Sequence, residues 1–275
     1  MNSHAYQLTP SDARPLNLSA ESLDAATALL PGGLYTTFRT YSHGQRVWGL
    51  QSHLNRLYLP AAQKGIVPAL SQTELRQILV CLLDSAQAVE WRVRLILSES
   101  DQAGACFAVI EPFFPPPASL YQIGVRVVTV AIHRSTPRLK TTAFIAASAR
   151  ARQLLTGGIY EAVMMRPDGC ALECLTSNFY LVRGATLVTA RDGILRGVTR
   201  RAVLHLVRQI GLKIDYQPPC LKTPYDEAFL TSSSRGVVPI VEIDGQPVAG
   251  GKPGPIAVRL NALYQTYVER NATQL

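Results

Sequence analysis

Length, composition and charge exclude several classes of protein. The chain has 275 residues, 47% of them hydrophobic and 17% charged, so it can bury a large core and does not have the composition of a disordered protein. Its 27 lysines and arginines outnumber its 19 acidic residues and give a formal net charge of +8. The basic residues are mostly spread singly, and the dense group Arg196, Arg200 and Arg201 contains no aromatic residue. We therefore expect anionic small molecules rather than nucleic acid as partners.

Nothing in the sequence predicts a membrane segment or an export signal. No apolar run reaches the ~18 residues that a membrane-spanning helix requires, and the first residues lack the charged and apolar stretches of a signal peptide. The five cysteines are odd in number and form no C-x-x-C pair, which favours free thiols over a disulfide framework or a zinc site. We therefore expect a cytoplasmic protein that has no membrane partner.

The first part of the chain alternates between strand and helix patterns. Residues 1–30 are weakly patterned, apart from a short helix predicted after the cap-like stretch Ser19-Ala20-Glu21-Ser22. Periodicity then predicts strands at 34–41, 46–50, 91–97 and 106–110, and helices at 53–64 and 75–87.

A proline run separates this part from the rest. Phe113-Phe114-Pro115-Pro116-Pro117 resists both helix and sheet. We therefore predict a small domain at 1–114, a linker at 115–120 and a larger domain at 121–275, in an α+β arrangement. The later strands are predicted at 125–132, 160–166, 178–183, 186–189, 213–217, 227–230 and 238–243, and the later helices at 143–155, 199–211 and 255–269.

Lys140 stands between a predicted strand and a predicted helix. Its position alone favours an ordinary solvated lysine at a helix start. A lysine that forms a Schiff base must lose its proton near neutral pH, which burial or a neighbouring cation promotes, and Arg138 supplies a cation two residues away. Lys140 is therefore a candidate for covalent chemistry on a carbonyl compound.

Glu173 lies in an apolar setting between Leu172 and Cys174-Leu175. A carboxylate there can be the partner of a buried cation or a contact at a helix start. If a pyridine nitrogen faces it instead, the ionised carboxylate keeps that nitrogen protonated. The sequence leaves these alternatives open.

Three segments offer donors for a phosphate. Gly197-Val198-Thr199 opens a predicted helix whose first amides lack partners, although Thr199 is also an ordinary capping residue. The run from Ser232 to Gly236 is either a second cup of hydroxyl and amide donors or a plain polar loop. Arg56 lies among apolar residues of a predicted helix and needs an anion, either a glutamate or a phosphate.

One early strand presents a candidate pocket wall. Tyr35, Thr37 and Arg39 alternate on one face, where they either hold a carboxylate or face solvent. The histidines show no metal-ligand spacing, so we expect no metal site. The chain also lacks the G-x-S-x-G turn of a serine hydrolase, and Cys174 has no histidine near it in sequence.

Taken together, these segments resemble the class IV aminotransferases, a family of pyridoxal-phosphate (PLP) enzymes also called fold type IV. The resemblance runs from about Gly33 to Tyr267. Its motifs occur in family order and are Gly158-Ile159-Tyr160-Glu161-Ala162, Glu173 with Ser177-Asn178-Phe179, Gly197-Val198-Thr199-Arg200, and Pro239-Ile240-Val241-Glu242-Ile243-Asp244-Gly245. The resemblance implies a homodimer whose chains have a smaller N-terminal α/β domain and a larger C-terminal domain with a mainly β core and flanking helices.

The resemblance also implies a role for each candidate residue. Lys140 corresponds to the Schiff-base lysine and proton shuttle, and Glu173 to the partner of the pyridine nitrogen. The positions that match the phosphate-binding residues are Arg56, Val198, Thr199, Ser232 and Ser233. The substrate-binding candidates are Tyr35, Ser233 and Ser234, together with Arg39, which shares a strand face with Tyr35.

The implied activity is transfer of an amino group between an amino acid and a 2-oxo acid in two half-reactions. A branched-chain-like amino acid is the first expectation, because Gly32–Arg39 and Ser232–Pro239 fit that branch. The alternatives are an aminodeoxychorismate lyase that releases pyruvate and 4-aminobenzoate, a D-amino-acid or R-amine transaminase, and a cofactor-binding relative without turnover. Ile96–Glu99 lacks the arginine of the D-amino-acid enzymes, and Ala143-Phe144 lacks the Asn-Arg pair of the lyases.

Overall fold

The computed structural model describes residues 3–84, 90–100 and 102–275, and it divides into two compact units. Unit 1 consists of Met1–Phe114, Leu139–Ala146 and Glu269–Leu275, and unit 2 consists of Pro115–Arg138 and Ala147–Val268. The segment that holds Lys140 thus belongs to unit 1, although residues of unit 2 precede and follow it in sequence. The domain boundaries expected from the proline run stay a prediction.

Strands and helices alternate along the described part of the chain. The strands are β1 (Ser3–Thr9), β2 (Asp12–Ala20), β3 (Gly33–Tyr41), β4 (Arg46–Val47), β5 (Trp91–Ser98), β6 (Cys106–Pro112), β7 (Val125–Val130), β8 (Ile159–Met165), β9 (Ala171–Cys174), β10 (Asn178–Arg183), β11 (Thr186–Val188), β12 (Lys213–Asp215), β13 (Glu227–Ser232), β14 (Gly236–Ile243), β15 (Gln246–Pro247) and β16 (Thr273–Gln274). The helices are α1 (Leu23–Ala28), α2 (Leu50–Gln63), α3 (Gln72–Asp84), α4 (Ala118–Ile123), α5 (Ala143–Ala147), α6 (Ala149–Arg152), α7 (Val198–Gln209) and α8 (Pro255–Asn271).

Unit 1 is built on a seven-stranded sheet in the order β16-β4-β3-β5-β6-β1-β2. Helix α2 buries Leu50, Leu54 and Leu57, which recur at the spacing of one helix face. These leucines join strand residues such as Phe38 and Val93 in one apolar core. Burial of this face stabilises the helix, because a fully buried leucine contributes about 1.5–3 kcal/mol relative to an exposed one.

Unit 2 is built on a nine-stranded sheet that closes on itself. Its order is β12-β11-β10-β13-β14-β7-β8-β9, with β15 beside β14, and β9 also pairs with β10. The closing pair is Glu173 on β9 opposite Asn178 on β10. Cross-strand partners have Cβ atoms about 5 Å apart, so this register places the two side chains within reach of one another.

The α+β class is confirmed, and most predicted elements lie within a few residues of their expected bounds. The two strands β1 and β2 occupy residues where the sequence predicted little. The reason is that β2 is an edge strand that contains Pro15, and a proline is tolerated at a sheet edge although it weakens the strand pattern. The predicted strand 46–50 is also shorter, because α2 begins at Leu50 after Gly49, whose φ is +67°.

Two other predictions differ from the structure. The expected helix 143–155 is two short helices separated at Ser148. Helix α4 begins at Ala118, inside the expected linker, because the extended Pro117 serves as its N-cap. The end of the predicted helix 75–87 lies outside the described residues. None of the described helices combines the length and apolar character needed to cross a bilayer.

Candidate active site

Lys140 is held beside the start of β3 in unit 1. Its carbonyl oxygen accepts a hydrogen bond from the N–H of Tyr35 at 2.8 Å. Two residues on, the N–H of Thr142 donates to the carbonyl of Gly33 at 2.9 Å, and the N–H of Gly33 donates to Oγ1 of Thr142 at 2.9 Å. These bonds fix the backbone of Lys140 against a strand of the sheet.

The ring of Tyr35 lies close to two cations. Nζ of Lys140 is 4.9 Å from the ring centre, and Cζ of Arg94 is 4.8 Å from the same centre. Both distances are within the range of cation–π attraction. Arg94 is buried and bonds to Asp24 at 2.6 Å and to Thr27 at 2.8 Å. The structure therefore brings together two predicted residues, Lys140 and Tyr35, and places the buried Arg94 beside them.

The two candidate arginines of unit 1 are Arg39 and Arg56. Arg39 shares a strand with Tyr35, but its guanidinium lies 4.1 Å from the ring centre of Tyr41 and 4.8 Å from that of Phe113. Arg56 is half-buried on α2, outside the buried leucine face of that helix. The roles proposed for Arg39 and Arg56 stay predictions.

Glu173 is a buried carboxylate in unit 2, with 2% of its surface exposed. Its Oε1 accepts hydrogen bonds from Nε of Arg134 at 2.8 Å and from the N–H of Leu195 at 3.1 Å. Its Oε2 accepts one from Nδ2 of Asn178 at 3.1 Å. A buried carboxylate is costly unless a cation and hydrogen-bond donors compensate it. This set of donors therefore favours the ionised form.

Arg134 is a functional candidate that the sequence reasoning missed. It follows β7 in a stretch without periodicity, yet only 7% of it is exposed. Its Nη2 also donates to the carbonyl of Leu175 at 3.2 Å. The available signal was that a buried glutamate needs a cation, but the sequence offered several arginines with no means of choosing among them.

Asn178 connects Glu173 to the start of α7. Besides binding Glu173, its Nδ2 donates to the carbonyl of Leu195 at 2.8 Å. The N-cap of α7 is Gly197, so no side chain caps the first amides of this helix, and Thr199 is not the N-cap. Val198 and Thr199 follow within the first turn and are buried. The uncapped amides and the helix dipole form a place where an anion can bind.

Replacing Gly197 by alanine is expected to disturb this connection. A Cβ at position 197 would lie 2.3 Å from Oδ1 of Asn178, so Asn178 would have to move. We expect Gly197→Ala to lower the free energy of unfolding by about 1–3 kcal/mol and to weaken cofactor binding, as measured by denaturant unfolding and cofactor titration.

The matched control for this prediction is Gly32→Ala. A Cβ at Gly32 would meet only Oγ1 of Thr142, at an ordinary 3.6 Å. A free energy of unfolding of Gly197→Ala equal to that of the wild type would show that Asn178 is not held tightly.

A second missed residue, Arg235, holds the turn between β13 and β14. Its Nε donates to Oγ of Ser232 at 2.9 Å, and its Nη2 donates to Oγ of Ser177 at 2.6 Å. Burial is the largest single effect on the pKa of Arg235 and would lower it, but the charge of Glu161, 3.4 Å away, acts together with Tyr160 and Cys174 to raise this pKa overall. The guanidinium therefore stays charged and ties the Ser232–Ser234 turn to the segment that follows β9.

Cys174 is not arranged as a nucleophile. It is fully buried, and burial together with the charge of Glu161 raises its pKa well above that of an ordinary thiol. A thiol needs to ionise in order to attack, so this one is inert at neutral pH. In the described parts of the chain, no group of three or more histidine, cysteine or acidic side chains could hold a metal ion.

The donors present fit PLP. A buried, compensated carboxylate suits a protonated ring nitrogen, and an uncapped helix start suits a phosphate. The amine of Lys140 can form a C=N bond with an aldehyde.

Comparisons with known proteins agree with this chemistry. A model of the class IV amino-transferase family matches residues 33–243. The chain is 28% identical to the D-alanine aminotransferase of Bacillus licheniformis over 255 residues, which are 86% of this chain and 87% of that protein. It is 30% identical to the branched-chain-amino-acid aminotransferase of Pseudomonas aeruginosa over 152 residues, 52% of this chain and 50% of that protein.

The fold is shared with a solved structure. The crystal structure of the branched-chain aminotransferase from Thermoproteus uzoniensis with norvaline matches with a TM-score of 0.78 at 22% identity, and the match covers 100% of this chain and 99% of that one. The family match spans most of the chain. This chain therefore belongs to the class IV aminotransferase family and is a PLP-dependent transaminase of fold type IV.

Proposed function

We propose that Lys140 is the Schiff-base lysine of this transaminase and that Glu173 is the partner of the pyridine nitrogen. The observation that carries the proposal is the environment of Glu173. The carboxylate is almost fully buried and is compensated by Arg134 at 2.8 Å. A buried anion of this kind favours protonation of a neighbouring ring nitrogen.

Five residues are proposed to bind the phosphate. Val198 and Thr199 offer amides at the uncapped start of α7, where the helix dipole attracts an anion. Ser232 and Ser233 lie in the turn that Arg235 holds, and Arg56 adds a guanidinium that suits phosphate geometry.

Bound PLP supplies a carbonyl group that condenses with amines and a ring that takes up the electrons of the substrate Cα–H bond. The amine of Lys140 removes the proton from the substrate α-carbon as a general base. Tyr35, whose ring centre is 4.9 Å from Nζ, limits where that amine can lie. Arg39 and the Ser233-Ser234 turn are proposed to bind the substrate.

The proposed substrates are a branched-chain-like amino acid and a 2-oxo acid. Similarity to branched-chain aminotransferases supports this choice, as does the absence of an arginine in Ile96–Glu99. In the structure, Ile96 and Leu97 of this segment are buried, and Glu99 pairs with Lys64 at 2.5 Å. The segment therefore offers no cation for a D-amino-acid carboxylate.

Borohydride reduction followed by peptide mass spectrometry tests the lysine. The purified, cofactor-loaded protein is expected to be yellow and to carry the reduced phosphopyridoxyl group on Lys140. A label on any other lysine would reject the assignment.

Initial rates with 2-oxoglutarate test the substrate. L-leucine, L-isoleucine and L-valine are expected to be turned over faster than D-alanine. Turnover of D-alanine without turnover of the branched-chain amino acids would reject the substrate class, and pyruvate release from aminodeoxychorismate without an amino acceptor would support the lyase branch instead.

We also propose that the protein is a cytoplasmic homodimer. The family resemblance supports the dimer, and the five free cysteines fit a reducing compartment. Size-exclusion chromatography with light scattering is expected to give twice the chain mass of 30.0 kDa, and the mass of one chain would reject the dimer.

A further inference from the structure

Cys170 and Cys220 face one another in unit 2 and take no part in the proposed active site. They are partners in an isolated antiparallel bridge. Beside them the N–H of Ala171 donates to the carbonyl of Pro219 at 2.6 Å, which makes the two cysteines a non-hydrogen-bonded pair. In such a pair the Cα atoms are about 4.5 Å apart, inside the range of about 4.4–6.8 Å found in disulfides.

Local hydrogen bonds hold the backbone of both cysteines. The N–H of Cys170 donates to Oδ1 of Asp168 at 3.0 Å, and the carbonyl of Cys170 accepts from the N–H of Arg166 at 2.9 Å. The carbonyl of Cys220 accepts from Nη2 of Arg183 at 3.0 Å. Hydrogen bonds hold the backbone at each cysteine, and both thiols are partly exposed. A disulfide between them therefore requires no unfolding.

We propose that Cys170 and Cys220 form a reversible dithiol–disulfide pair that reacts with small-molecule disulfides such as oxidised glutathione. The Cys220 thiolate attacks one sulfur of glutathione disulfide, forms a mixed disulfide and releases one glutathione thiolate. Cys170 loses its proton to solvent, attacks the Cys220 sulfur and releases the second glutathione thiolate. The two protein thiols give up two electrons, and one glutathione disulfide is reduced to two glutathione molecules.

The order of attack follows from the surroundings of each sulfur. The backbone N–H of Lys222 lowers the pKa of Cys220 against the opposing effect of burial, and the thiol of Cys170 and the charge of Arg183 act in the same direction as Lys222. Burial raises the pKa of Cys170, and the thiol of Cys220 and the charge of Asp168 raise it further. Since the thiolate is the nucleophile, Cys220 attacks first and Cys170 resolves the mixed disulfide.

Each cysteine follows, in sequence, a segment that lines one cavity of unit 2. This cavity has a volume of about 700 Å³, and its lining includes Met165, Arg166 and Pro167 as well as Tyr216, Gln217 and Pro218. Cys170 follows the first group and Cys220 the second. The disulfide therefore restrains both segments, and we expect it to raise the midpoint of thermal unfolding in a way that dithiothreitol reverses.

The test uses the cofactor-loaded protein with Cys81→Ser as background, because Cys81 is exposed and would cross-link molecules. The protein is incubated with oxidised glutathione, alkylated, digested without reduction and examined by mass spectrometry. The expected product is one peptide pair joined through Cys170 and Cys220. Cys174 serves as an internal control, since a fully buried thiol should stay reduced.

Two further variants separate the two steps. Cys170→Ser is expected to accumulate glutathione on Cys220, because the resolving thiol is gone. Cys220→Ser is expected to leave Cys170 unmodified over the same time. Near-ultraviolet circular dichroism confirms that each variant is folded, and Cys170→Ala replaces Cys170→Ser if the serine variant does not fold.

Three outcomes would overturn the proposal. The first is a mixed disulfide of glutathione with Cys220 that persists in protein that still has Cys170. The second is faster modification of Cys170 than of Cys220. The third is modification of the buried Cys174 at the same rate as Cys220, which would mean that oxidation follows unfolding.

Discussion

Replacing Lys140 by arginine is expected to lower the rate of amino transfer by about 10³-fold or more. Lys140→Arg keeps a cation beside the ring of Tyr35 but removes an amine that can lose its proton and form a C=N bond. Initial rates with saturating amino acid and 2-oxo acid measure the loss. The absorbance of the purified variant reports separately whether the cofactor is still bound.

Lys213→Arg is the matched control, because Lys213 is an exposed lysine on β12. It should keep the wild-type rate. In Lys140→Ala, a small added amine such as methylamine should restore part of the activity by replacing the missing base. A rate for Lys140→Arg close to that of the wild type would show that another group does the chemistry.

Replacing Glu173 by glutamine is expected to lower both stability and activity. Arg134 would be left buried without its anion, which lowers the free energy of unfolding by about 3–5 kcal/mol. The ring nitrogen would lose the group that favours its protonation, and we expect the rate to fall by about 10²-fold. Denaturant unfolding and initial rates measure the two effects separately.

A double variant distinguishes the two roles of Glu173. Arg134→Met combined with Glu173→Gln removes both charges and leaves one amide oxygen, which can accept a hydrogen bond from the N–H of Leu195 or from Nδ2 of Asn178. Replacing both charges of a buried pair is often nearly neutral, so this variant should regain most of the lost stability while its activity stays low. Recovery of the rate as well would mean that Glu173 acts only as the partner of Arg134.

Much of the fold could be predicted because its signals are local. Strand β10 was expected at 178–183 and lies at Asn178–Arg183, since an apolar run there ends at a glycine turn. Helix α7 was recognised because glycine precedes it and its apolar residues recur at helical spacing. Lys140, Glu173 and the start of α7 were singled out because the motifs around them occur in the order of the class IV family, and their roles stay predictions.

The partners of these residues could not be predicted, because tertiary structure selects them. Arg134 reaches Glu173 across 39 positions of the chain, and Arg235 reaches Glu161 across 74. No periodicity links residues so far apart. The break at Ser148 was missed for the same reason, since the alanines around it have high helix propensity and only packing decides where such a helix ends.

The position of Lys140 in the chain and its bonds to β3 also determine when its amine is held in place during synthesis. Gly33 and Thr142, which flank this contact, are 109 positions apart. A loop of that length costs closure entropy before its contacts form, so contacts of this kind appear late in folding. A nascent chain that has left the ribosome only as far as Phe114 already has β3 but still lacks the lysine. The proposed capture of the cofactor by Lys140 therefore waits until the first strand of unit 2 has been made.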